Sequence, residues 1–183
     1  MTFNNITEIE LAFDSNYNYI NKILNLIKDV KKIDLYINGN RVEDDETLEG
    51  YGEFYSRNRI KRYKTPTLYF SHAKSTDMKM RIYNKAKELE ENSPQKSDQV
   101  KEWLGWDNIN ELYRIEVVLH NTNVRDFMVR CKKSRVEWSE HANILNLLCI
   151  PNFRLAMFLD SIDRLIYFRD KKTNEKFSIV EVA

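Results

Sequence analysis

The run Ile6-Thr7-Glu8-Ile9-Glu10-Leu11-Ala12-Phe13-Asp14 alternates with a period of two, and that alternation constrains the fold most. A strand of this kind has one wet and one dry face, which an antiparallel sheet covered on one side allows and a fully buried parallel sheet does not. Ile9, Leu11 and Phe13 would point one way, and Glu10, Ala12 and Asp14 the other. Similar strand patterns cover Ile33–Ile37, Thr67–Phe70, Lys79–Lys85 and Leu112–Leu119. In the last of these, Arg114, Glu116 and Val118 share a face with His120.

Helical spacing enters between and after the strands. Ile20, Ile23, Leu24 and Ile27 fall at i, i+3, i+4 and i+7, and Asn38-Gly39-Asn40 marks a turn. Residues 92–99 read as an exposed loop. Trp138 to Phe168 has helical spacing on both sides of Pro151, which divides it into two helices. Strands clustered ahead of helices point to an α+β fold, a mostly antiparallel β-sheet with packed helices and a helical C-terminal segment. Trp103 and Trp106, around Gly105, are expected to anchor a loop to the core.

With 183 residues, 42% hydrophobic and 31% charged, the chain has the balance of a globular protein. No apolar run approaches the roughly 20 residues of a membrane span, and the N-terminus lacks the basic start and apolar core of a signal peptide. Cys131 and Cys149 are too few for a disulfide framework or a zinc site, so a reduced cytoplasmic setting without membrane contact is expected. His72, His120 and His141 stand alone, with no His-x-His motif, and no Gly-x-Ser-x-Gly elbow occurs.

The net charge of +1 hides a strong segregation. Glu43, Asp44, Asp45, Glu46, Glu49 and Glu53 crowd an acidic run without a basic residue, whereas residues 56–87 hold ten basic residues against Asp77 alone. Such a stretch is either a solvated surface or a track for phosphates. Tyr63, Tyr69, Phe70 and Tyr83, interleaved with the cations, favour contact with single-stranded nucleic acid, because rings stack on unpaired bases.

Two patterns carry chemistry. Acids are poor strand residues, yet Glu10 and Asp14 share one strand face and Glu116 interrupts the apolar Ile115–Leu119 run. They either face solvent or converge on a hard divalent ion. Tyr83 stands between Arg81 and Lys85 in its own facial register. It is either a packing residue or a phenol whose flanking cations favour the phenolate and neutralise phosphate.

Three segments, in order, resemble the Rep_trans family of rolling-circle plasmid replication initiators, to which relaxases and phage initiation factors are related. They are Ile9-Glu10-Leu11-Ala12-Phe13-Asp14; Leu68-Tyr69-Phe70-Ser71 with Met80-Arg81-Ile82-Tyr83-Asn84-Lys85-Ala86-Lys87-Glu88; and Tyr113-Arg114-Ile115-Glu116-Val117-Val118-Leu119. Glu10 stands where the family has Asp, Ser71 where it has Gly, and Val118 where it has a second acid.

The resemblance implies a site-specific nickase and strand transferase that forms a 5′-phosphotyrosine intermediate at plasmid or mobile-element origin DNA. Tyr83 would be the nucleophile, with Arg81 and Lys85 beside it, and Asp14, Glu116 and Glu10 would hold Mg²⁺ or Mn²⁺. Lys61, Arg62, Lys64, Lys74, Lys79 and Arg114 would contact DNA, and Glu88 matches the acid that closes the tyrosine motif. Residues 1–130 would form the nicking domain, lacking an N-terminal part of the family's domain, and 131–183 a helical extension packed on it. A host helicase and a second copy of the chain are the further partners expected. A conjugative relaxase of the same family and a non-catalytic DNA-binding regulator are the alternatives.

Overall fold

The computed structural model describes residues 7–29, 31–42, 55–56, 67–71, 78–133 and 144–182. The fold is α+β, and the described strands pair antiparallel. In chain order the elements begin with β1 (Glu8–Ser15), α1 (Tyr19–Lys28), β2 (Ile33–Ile37), β3 (Asn40–Arg41), β4 (Tyr55–Ser56), β5 (Leu68–Ser71) and β6 (Met78–Asn84). Next come α2 (Lys85–Asn92), a 3₁₀ turn at Pro94–Lys96, α3 (Ser97–Leu104), β7 (Tyr113–His120) and α4 (Asn121–Lys133). The chain continues with α5 (Ile144–Leu148), α6 (Pro151–Leu165), β8 (Ile166–Asp170), β9 (Lys176–Phe177) and a 3₁₀ turn at Ile179–Val182.

Two sheets form. The first is ordered β1-β7-β6-β5-β4 and the second β3-β2-β8-β9. In the first, Ile82 opposes both Leu68 and Ile115, and Met80 opposes both Phe70 and Val117. Directly opposed residues share a face, so these apolar side chains form one buried layer. Against it pack Ile20 and Ile23 of α1, Val124 and Phe127 of α4, and Phe153, Met157 and Ile162 of α6. The same core includes Leu35, Ile37, Ile166 and Phe168 from the second sheet. A smaller cluster of Leu89, Val100, Ile109 and Leu112 holds α2 and α3 to the first sheet.

The Ile20–Ile27 helix and the β7 face follow the expected periodicities, whereas on β1 Leu11 is buried but Phe13 is 38% exposed. The turn at Asn38-Gly39 has φ of 52° and 78°, the left-handed pair that joins β2 to β3 in a tight hairpin. Three local readings need correction. Residues 92–99 are not simply a loop: Pro94 starts a 3₁₀ turn and α3 begins at Ser97. The expected helix to Phe168 stops at Leu165, and Ile166–Asp170 is a strand paired with β2. The expected helical extension over 131–183 therefore also carries strands, and it shares a sheet and a core with the residues before it. The reason is that a short apolar run gives no period of its own; its pairing with Ile33–Ile37 decides its form. Third, Trp106 packs beside the smaller cluster, but Trp103 is 79% exposed and anchors nothing among the described residues.

Gly105 ends α3 with φ +65°, and the Trp106 N–H returns to the Lys101 carbonyl. A Cβ added there would meet no atom within 4 Å, so only backbone strain is at stake. Gly105→Ala is expected to cost about 1 kcal/mol, read as a lower urea midpoint with an unchanged slope.

Candidate functional site

The face of the first sheet opposite that apolar layer carries the polar side chains. Register places Glu10, Ala12 and Asp14 of β1 opposite Val118, Glu116 and Arg114 of β7. It then places Arg114, Glu116 and Val118 opposite Tyr83, Arg81 and Lys79 of β6. Tyr69 of β5 opposes Arg81 and continues the row. Period-two alternation on four adjacent strands thus gathers side chains that are distant in sequence onto one surface.

The β6–α2 corner fixes the tyrosine. Asn84 has extended backbone and caps α2, its side-chain oxygen accepting from the Lys87 N–H at 2.9 Å. The Lys85 and Ala86 N–H groups donate to the Leu112 carbonyl at 2.8 and 3.1 Å. Strand β6 therefore passes into the helix without a loop, with Tyr83 at its last turn of pleat and Lys85 in the first helical turn.

At the centre lies Glu116, only 2% exposed. The Tyr83 hydroxyl donates to its Oε1 at 2.9 Å, the Arg81 Nε donates to its Oε2, and the Arg114 Nη1 stands 3.7 Å from Oε1. A buried carboxylate is stable only with such partners. Arg114 also clamps Asp14 in bidentate fashion, at 2.6 and 2.7 Å. Burial alone would lower the Arg114 pKa, but the Asp14 hydrogen bonds and charge outweigh it and hold the guanidinium above its ordinary range. Arg81 reaches Glu10 at 3.8 Å, and Lys85 pairs with Glu88 one turn along α2. The guanidinium of Arg81 and the ammonium of Lys85 lie 5.4 and 5.8 Å from the Tyr83 ring centroid.

Tyr83 itself is 8% exposed. Desolvation raises its pKa most, and the charge and hydrogen bond of Glu116 raise it further, against smaller lowering effects of Arg114 and Arg81. The resting group is a neutral phenol. Because its folded pKa lies above the unfolded value of about 10, its contribution to stability is full below about pH 10 and is lost as pH rises toward the folded value. Glu116→Gln is expected to bring the tyrosinate absorbance step to lower pH; an unmoved step would show that Glu116 does not act on the phenol.

These residues line an open cleft of about 400 Å³. Its lining includes Tyr83, Arg81, Arg114 and Glu116 of the sheet, Lys85 and Glu88 of α2, and Thr67 and Tyr69. The structure thus brings together Tyr83, Arg81, Lys85, Arg114, Glu116, Glu10 and Glu88, all marked in the sequence, with Asp14 joined through Arg114. Lys79 is exposed on the same face, one row beyond. Lys61, Arg62, Lys64 and Lys74 lie outside the described residues. Sequence reasoning missed Glu91 and Asn92, which also line the cleft. Their signal was the helical period, since they follow Glu88 by three and four residues.

The acids bear on the expected metal. Among the described residues, no three acid, histidine or cysteine side chains are grouped closely enough to enclose an ion. Pairs are a different matter: Arg81 bridges Glu10 and Glu116, and Arg114 bridges Asp14 and Glu116. Each guanidinium stands where two carboxylates already hold a cation. Mg²⁺ commonly takes one or two protein carboxylates and completes its shell with water and substrate phosphate; here Glu10, Glu116 and Asp14 are each met by Arg81 or Arg114.

No protein-family profile matches the chain, and no curated protein matches it. Among solved structures, it is similar to a rolling circle replication initiator protein from Geobacillus stearothermophilus, at 17% identity and a TM-score of 0.42. The alignment covers 93% of this chain and 49% of that one, so the chain spans about half the length of the initiator. Among the described residues, no helix is long and apolar enough to cross a membrane.

Proposed function

We propose that the chain nicks and rejoins single-stranded DNA through Tyr83, in the manner of a rolling-circle replication initiator acting on plasmid or mobile-element origin DNA. The observation that carries the reading is the Tyr83 hydroxyl held against a buried carboxylate, in a cleft that is also lined by Arg81, Arg114 and Lys85. A phenol so placed has a proton acceptor on one side and phosphate-binding cations around it.

In the step proposed, the Tyr83 oxygen attacks phosphorus in line and its proton passes to Glu116 Oε1. A Tyr83 O–P bond forms and the P–O3′ bond breaks. The 3′ oxygen takes a proton from solvent, leaving a free 3′-OH and a 5′-phosphotyrosyl link. Reversal rejoins the strand without another energy source. Arg81 and Arg114 loosen from their acids to meet the phosphate oxygens. Mg²⁺ or Mn²⁺ held by Glu116 with Glu10 or Asp14 would polarise the scissile phosphate.

The test incubates the chain with 5′- or 3′-labelled single-stranded DNA of a candidate origin, then denatures it. A labelled adduct that survives denaturation, carried by 3′-labelled DNA only, is the expected result. Hydrolysed fragments without any adduct would overturn the reading.

A further inference from the structure

The second sheet has an outer face that the cleft does not use. On β2, Leu35 and Ile37 point into the core; on β8, Ile166 and Phe168 do the same. Alternation turns Asp34, Tyr36, Tyr167 and Arg169 outward. The register aligns them in two cross-strand rows. Arg41, Tyr36 and Tyr167 form the first, and Asp34, Arg169 and Lys176 the second.

The two tyrosine rings are stacked, with centroids 4.7 Å apart and planes 9° from parallel. The Arg169 guanidinium carbon lies 5.8 Å from both centroids, and the Lys176 ammonium lies 4.5 Å from that of Tyr167. Asp34 meets both Arg41, at 2.8 Å, and Lys171, at 3.3 Å; Asp163 meets Lys176 at 2.9 Å. Among the described residues, Arg169 has no carboxylate partner. Its other bond runs to the Asn174 carbonyl.

We infer that this outer sheet face, centred on the Tyr36–Tyr167 stack and bordered by Arg41, Arg169 and Lys176, is a second binding surface for a single-stranded polynucleotide, separate from the Tyr83 cleft. Stacked rings alone would suit many partners, and cations alone would suit any anion. Half-buried rings with Arg169 and Lys176 beside them suit a chain that supplies bases and phosphates in alternation. Duplex DNA is a poor occupant, because its bases are already stacked on each other. The inference goes beyond the cleavage reading and stands whether or not Tyr83 reacts.

The test uses the full chain in a Tyr83→Phe background, so that no covalent adduct intervenes. The probe is a fluorescent dT20 carrying 5-iodouracil, with a matching rU20 to compare DNA and RNA. Photo-crosslinks are expected on the peptides that hold Tyr36 and Tyr167, for one or both probes. Tyr36→Ala/Tyr167→Ala should remove them and weaken binding about tenfold, whereas Tyr36→Phe/Tyr167→Phe should retain both. Arg169→Gln/Lys176→Gln should flatten the dependence of log K on log salt by about 1.4, at about 0.7 per lost phosphate contact. Should the alanine pair fail to fold, the crosslink map and the cation pair decide. The inference is overturned if neither peptide crosslinks, if the folded alanine pair binds as the parent does, or if polyglutamate displaces the probe as well as unlabelled dT20.

Discussion

Tyr83→Phe is expected to abolish the covalent DNA adduct completely while leaving the fold and the affinity for single-stranded DNA nearly unchanged. The substitution removes one oxygen and keeps the ring, and the ring is what Arg81 and Lys85 approach. The lost hydroxyl leaves Glu116 with its two arginine neighbours, so the carboxylate is not stranded. No other atom of the phenylalanine ring can attack phosphorus. Tyr69 lines the same cleft, and its hydroxyl is the natural candidate for rescue. It lies on β5, opposite Arg81 rather than Glu116, and is expected not to restore the reaction. A gel-shift assay run beside the denaturing adduct assay separates the two effects. Adduct formation by the variant at the parent rate would show that Tyr83 is a packing residue.

Glu116→Ala should do damage of a second kind, to stability as well as to turnover. It would remove a nearly buried anion and leave the Tyr83 hydroxyl and two guanidiniums without their common partner. Breaking a buried pair from one side costs about 3–5 kcal/mol when both ions are buried. Arg81 is 44% exposed on its side chain and can recover water, and Arg114 keeps Asp14, so about 2 kcal/mol is expected here. Glu116→Gln keeps the shape and should cost about 1 kcal/mol, yet it cannot take the phenol proton and should slow adduct formation as severely as the alanine. Urea midpoints measure the first effect and single-turnover rates the second. A Gln variant as fast as the parent would remove Glu116 from the chemistry.

Much of the polar face was legible because strand geometry is simple. Once Ile9–Asp14, Lys79–Lys85 and Leu112–Leu119 are read as strands, period two puts Glu10, Asp14, Arg81, Tyr83, Arg114 and Glu116 on faces that register can join. What alternation could not say was who pairs with whom. Asp14 bears on Arg114 and Glu116 on Tyr83 because β7 lies between β1 and β6, an order that sequence does not state. The same limit hid the second sheet. Ile166-Tyr-Phe-Arg-Asp follows a helix without a break, and only pairing with Ile33–Ile37 makes it a strand. Glu91 and Asn92 escaped notice because the helical period groups them with Glu88 but does not show that this flank lines a cleft.

The division of labour along β6 bears on how such a chain can change over time. Met78, Met80 and Ile82 are embedded in the helical layer, while Lys79, Arg81 and Tyr83 look the other way. Neighbouring codons therefore answer to different selective pressures. Substitutions at even positions should be filtered by folding yield, and those at odd positions by chemistry as well as by the partners they give Glu116. A saturation scan of residues 78–83 should show tolerance that oscillates with a two-residue beat in a screen for soluble expression, a beat that fades in a screen for strand transfer because a chain that does not fold fails both. Drift in target preference could then proceed along one side of the ribbon without eroding the scaffold behind it.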